Sequence, residues 1–97
     1  MTIEKTVNGN CAVLSLNGCM DTENAPKLAA AVDELGPEIE SLVLDMSGLE
    51  YTSSAGIRQI VASYKRMNGA LTLKNVSPLV RDVLGEMGLD KKLHIES

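Results

Sequence analysis

The dense apolar run Leu42-Val43-Leu44, which stops abruptly at Asp45, limits the choice of fold more than any other segment. A run this short and this apolar is too brief for a helix and predicts a strand over Ser41–Met46, buried on both faces. Apolar residues at helical spacing lie on either side of it: Ala25, Leu28, Ala29, Val32 and Leu35 before, and Ile57, Ile60, Val61 and Tyr64 after. A strand between two amphipathic helices needs a layered α/β arrangement, with right-handed crossovers and a largely parallel sheet.

The remaining elements extend the pattern. Ile3–Val7 and Ala12–Leu16 are β-type runs separated by Asn8-Gly9-Asn10, a strong hairpin signal. Asp21 or Thr22 is placed to cap the first helix, and Gly36-Pro37 to end it. Ser47-Gly48 is expected to turn, and Asn68-Gly69 to stop the second helix. Ala70–Lys74 is a further strand. Ser77-Pro78 opens a third helix carrying Leu79, Val80, Val83, Leu84 and Met87, and Leu93-His94-Ile95 is a last short strand. The expected order is β-β-α-β-α-β-α-β in one domain over residues 1–97: an α/β sandwich with a mixed, mostly parallel sheet, an N-terminal hairpin and helices packed on it.

Composition then excludes whole classes of function. Two Tyr, no Phe and no Trp leave the core to aliphatic residues and provide no stacking platform for single-stranded nucleic acid. Nine basic against thirteen acidic residues give a net charge of −4, which opposes a phosphate-backbone footprint. Cys11, Cys19 and His94 are too few for a typical zinc site, and no cofactor is expected. No apolar stretch resembling a signal peptide follows Met1, and no window is long enough to span a bilayer, so a cytoplasmic location is expected. The surface offers no clear dimer patch, and a monomer is expected.

The stretch informative about chemistry runs from Leu42 to Ile60. A strand ends at Asp45, a loop follows, and Ser53-Ser54 stands where the next helix begins, the end of an open α/β sheet at which functional groups gather. Unpaired amides and the positive dipole end of a helix favour negative charge at that point, so a phosphate on a serine would be accommodated. Ala55 and Gly56 keep the surroundings small and let another protein approach the hydroxyl closely. Arg58, four residues after Ser54, shares its helix face and could meet a phosphate or an acidic partner group, although such arginines are more often simply solvated. Ser53 or Ser54 as a plain helix cap is the ordinary alternative.

The stretch Asp45-Met46-Ser47-Gly48-Leu49-Glu50-Tyr51-Thr52-Ser53-Ser54-Ala55-Gly56-Ile57-Arg58 resembles the signature of the anti-sigma factor antagonist branch of the STAS family, the sulfate transporter and anti-sigma factor antagonist domains. Gly18-Cys19-Met20-Asp21, Asn75-Val76-Ser77-Pro78 and Met87-Gly88-Leu89-Asp90 are similar to family members at three further places in the right order. The resemblance implies the family's fold and a regulatory switch. Unphosphorylated, such a domain binds a serine kinase that doubles as an anti-sigma factor; phosphorylation inactivates it, and a serine phosphatase restores it. Ser54 occupies the phosphoacceptor position, with partner-contact or loop-shaping roles implied for Asp21, Ser53 and Gly56. This chain has Ser53 where the best-known antagonists have Asp, and Cys19 where an acidic residue is usual. The family's C-terminal helix is expected to be short or absent.

Two other classes compete. STAS domains also serve as constitutive subunits of lipid- or anion-transport assemblies. An enzyme is the weaker alternative: Thr52 stands where a Gly-x-Ser-x-Gly elbow has its first glycine, and the sole histidine, His94, falls on the last strand. Asp45 as a receiver-type phosphoacceptor lacks the acidic pair that should follow the first strand.

Overall fold

The computed structural model describes residues 1–96. Its elements are β1 (Thr2–Asn8), β2 (Cys11–Met20), α1 (Ala25–Asp33), β3 (Ser41–Thr52), α2 (Ser54–Arg66), β4 (Leu71–Lys74), α3 (Pro78–Glu86), a 3₁₀ turn (Leu89–Lys91) and β5 (His94–Glu96). The sheet order is β1-β2-β3-β4-β5. The β1–β2 pair is antiparallel, and β2 through β5 are parallel. This is the α/β fold with a mixed, mostly parallel sheet that the sequence predicts.

Because each parallel strand is added on the same side of the one before, right-handed crossovers place every helix on one face. Buried residues of all three helices accordingly join one core with Leu14, Leu16, Leu42, Leu44, Leu71 and Leu73. Aliphatic packing is enough, and the core contains no aromatic side chain that is fully buried. The expectation that the central strand is buried on both faces is therefore wrong. Leu42, Leu44 and Met46 face the helices, whereas Val43 and Asp45 are half-buried on a sheet face that no helix covers.

The second correction concerns Ser47-Gly48, which does not turn. β3 runs on through it to Thr52, still paired with β2 as Gly18↔Leu49, Cys19↔Tyr51 and Met20↔Thr52. Register shifts at Ser15/Asn17 and Gly18/Cys19 bend the pair, as bulges do. Position 48 is close-packed: a Cβ there would lie 2.0 Å from the Asn17 side-chain oxygen and 3.2 Å from the Leu16 carbonyl oxygen, so a larger residue displaces the exposed Asn17 side chain. Smaller shifts occur elsewhere. The hairpin loop is Gly9-Asn10, with only Gly9 at positive φ, +64°. The cap of α1 is Asn24 and not Asp21 or Thr22, and the last strand begins at His94.

Candidate functional site

The extension of β2 and β3 builds the site. Their carboxyl ends lie side by side, so the segments leading into α1 and α2 leave the sheet together. The Ser53 backbone N–H donates to the Met20 carbonyl at 2.8 Å, which joins the two exits. On the β2 side, the half-buried Asp21 closes a turn: its carboxylate accepts the Asn24 N–H at 2.9 Å and its carbonyl accepts the Ala25 N–H at 2.9 Å. Asp21 thus fixes the start of α1 from one turn upstream.

On the β3 side the two serines divide the work. Ser53 is the N-cap of α2, in extended backbone, and its Oγ accepts the Gly56 N–H at 3.3 Å. With the cap supplied by Ser53, Ser54 is the first helical residue. It is exposed, and its hydroxyl makes no hydrogen bond among the described residues. The backbone amides of Ser54 and Ala55 have no carbonyl partner among the described residues, as expected for the first turn of a helix. Ala55 is half-buried beside them. Arg58 is exposed on the same face, one turn along α2.

Gly56 has a different place. It is buried, and a Cβ there would fall 2.2 Å from Thr52 Oγ1 and 2.9 Å from Met20 Cγ. Its smallness lets the first turn of α2 rest on the ends of β2 and β3, and it faces the interior. Sequence reasoning missed both Thr52 as the residue beneath this glycine and Tyr51, which is 50% exposed opposite Cys19 at the rim of the site. The outward position of Tyr51 was hidden by the bulges, which break the two-residue alternation before it.

Asp45 lies nearer the middle of β3, on the uncovered face. The Asn75 side-chain amide donates to it at 3.0 Å, and so does the Ser47 backbone N–H, at 3.0 Å. The Asn75 amide, and after it the Ser47 N–H, hold the Asp45 carboxyl below its ordinary value of 3.8. Asp45 is thereby a tie between β3 and the exit of β4. A depressed folded-state pKa adds stability that is present above the unfolded value and lost as pH falls through the folded one. Wild type should therefore exceed Asp45→Asn in urea midpoint at neutral pH, and the gap should close below about pH 4. A gap that stays constant with pH would remove the tie.

Among the described residues no three metal-ligating side chains cluster, and no helix is long and apolar enough to cross a membrane. Solved structures share this architecture. An anti-sigma factor antagonist from Mycobacterium paratuberculosis is 24% identical over 98% of this chain and 84% of its own, with a TM-score of 0.87. The Bacillus cell fate determinant SpoIIAA in its phosphorylated form is 17% identical, covering 99% of this chain and 92% of its own, with a TM-score of 0.70. A sulfate transporter family protein from Wolinella succinogenes is 18% identical, covering 95% of this chain and 80% of its own, with a TM-score of 0.79. At these identities the likeness is one of fold. Sequence carries the assignment further, because the STAS domain pattern matches residues 2–97, which takes in every strand and helix described above, and the chain belongs to the STAS domain family.

Proposed function

We propose that this protein is an anti-sigma factor antagonist of the partner-switching kind, acting in the cytoplasm as a monomeric domain over residues 1–97. Unphosphorylated, it binds a serine kinase that serves as an anti-sigma factor. The kinase phosphorylates Ser54 and so releases itself, and a serine phosphatase reverses the mark. The protein is a substrate and binding module in this scheme, not a catalyst, and needs no cofactor, metal or nucleic acid.

The observation that carries the reading is the position of Ser54: exposed, unbonded, and first in a helix whose cap is already supplied by Ser53. A serine that only caps a helix would use its own oxygen, as Ser53 and Ser77 do. Ser54 leaves its oxygen to solvent, next to amides that suit a phosphate. Asp21, Ser53, Ala55 and Arg58 surround it as the partner-facing rim, with Gly56 setting the height of the helix beneath.

A second reading has its own support in the likeness to the sulfate transporter family protein: a constitutive STAS subunit of a lipid- or anion-transport assembly. One experiment separates the two. After incubation with host lysate and ATP, the intact mass of wild type should rise by one phosphate, while Ser54→Ala stays unchanged. A wild type that stays at its starting mass favours the transport reading.

A further inference from the structure

Helices α2 and α3 do not close on each other. Between α2 and the segment that follows α3 lies an open groove of about 330 Å³, running along α2 from its first turn and bounded on the other side by Met87 and the 3₁₀ turn. Its apolar lining includes the half-buried Val61 and Leu89 and the 49% exposed Met87, above a floor to which the fully buried Ile57 contributes. Its charged lining is Arg58 and Lys65, and no carboxylate lines it. Neither cation forms an ion pair or a side-chain hydrogen bond among the described residues. In a protein of net charge −4, two unpaired cations along one apolar groove make a local field opposite to that of the whole molecule.

The spacing identifies the occupant. Arg58 and Lys65 are seven residues apart on one helix, so their stems stand on one stripe about 10 Å apart. A second helix laid along α2 would match them with carboxylates also seven residues apart, flanking an apolar stripe spaced for Val61, Met87 and Leu89. We infer that this groove is the docking site for an acidic amphipathic helix of the protein's partner. The groove begins one turn beyond Ser54, so a kinase anchored there would have the phosphoacceptor at the edge of its contact. This rests on the partner-switching reading only for the identity of the partner; the groove's preference for an acidic helix does not depend on it.

The test uses ¹⁵N-labelled protein and a synthetic helical peptide of about 16 residues, long enough to populate helix, with a leucine stripe and two glutamates seven apart. A control peptide carries lysines at those two places. The acidic peptide should shift the amide signals of Ile57, Val61, Met87 and Leu89, and the control should bind at least about tenfold more weakly, a difference of about 1.4 kcal/mol. The double variant Arg58→Glu, Lys65→Glu changes only exposed side chains and should reverse the preference; a well-dispersed spectrum confirms that it folds. Equal affinity for the two peptides, shifts confined to another surface, or no binding up to about 1 mM would overturn the groove. That failure is distinct from failure of the phosphoswitch, which is read by the mass of Ser54 after kinase treatment and involves no peptide.

Discussion

Phosphorylation of Ser54 should weaken binding of the partner kinase by more than about a hundredfold, Ser54→Asp should reproduce at least about tenfold of that loss, and Ser54→Ala should bind as wild type does. A phosphoserine brings about −1.5 to −2 charges into an interface formed around a neutral hydroxyl, and a penalty of about 3 kcal/mol suffices for a hundredfold. An aspartate carries a single charge and a shorter reach, hence the smaller effect. The free domain should respond in the opposite direction. At the first position of α2, beside two unpaired amides and the positive end of the helix dipole, an exposed carboxylate is favoured by about 0.3–1 kcal/mol. Ser54→Asp should therefore melt no lower than wild type while binding worse, and titration calorimetry alongside thermal unfolding can show both. If Ser54→Asp binds the kinase as tightly as Ser54→Ala, charge at this position does not operate the switch.

That separation between binding and folding follows from how the two serines are arranged, and only half of the arrangement could be read in advance. The residues Ser53-Ser54-Ala55-Gly56 mark a helix start by type alone, and the helix begins there. Which serine caps and which stays free depends on where the strand lets go of the chain. Thr52 remains paired to Met20, and the Ser53 N–H is held by the Met20 carbonyl, so the cap falls on Ser53 and Ser54 is turned outward. The length of β3 was not legible because its buried residues, Leu42, Leu44, Met46, Leu49 and Thr52, lose their two-residue period after Met46. Bulges between Ser15 and Asn17 and between Gly18 and Cys19 absorb the extra residues of β3, and a strand whose alternation breaks in this way does not read as one strand from its own sequence. Burial on one face was misjudged for a related reason: Val43 is apolar but β-branched, and it suits an uncovered sheet face as well as a core. By contrast the hairpin, the three helices and the parallel order follow from strong local signals, among them Gly9, Pro78 and the regular helical stripes, so these were readable.

Gly56→Ala should destabilise the protein, whereas Gly85→Ala, the same change in another helix, should not. Both glycines lie within helices, where alanine gains up to about 1 kcal/mol in intrinsic preference. At Gly85 in α3 the nearest atom to a new Cβ is Asp90 Oδ2 at 3.7 Å, ordinary contact, so the preference should appear as a small gain. At Gly56 the Cβ would stand 2.2 Å from Thr52 Oγ1, 2.9 Å from Met20 Cγ and 3.0 Å from Met20 Cε. Neither neighbour can simply swing into solvent, since Thr52 is 6% exposed and Met20 is fully buried. The first turn of α2 must lift off the strand ends, at an overpacking cost of about 1–3 kcal/mol that outweighs the helix preference. For a domain of this size each kcal/mol lowers the melting temperature by about 4–8 °C. The displaced turn carries Ser53 and Ser54 with it, so Gly56→Ala should also slow phosphorylation of Ser54 at temperatures where the variant is still folded. Thr52→Ala removes the closest obstructing atom, and in that background Gly56→Ala should cost markedly less, a coupling that a double-mutant cycle measures directly. If Gly56→Ala proves as benign as Gly85→Ala, the close seating of α2 on the ends of β2 and β3 is not what holds Ser54 at the surface.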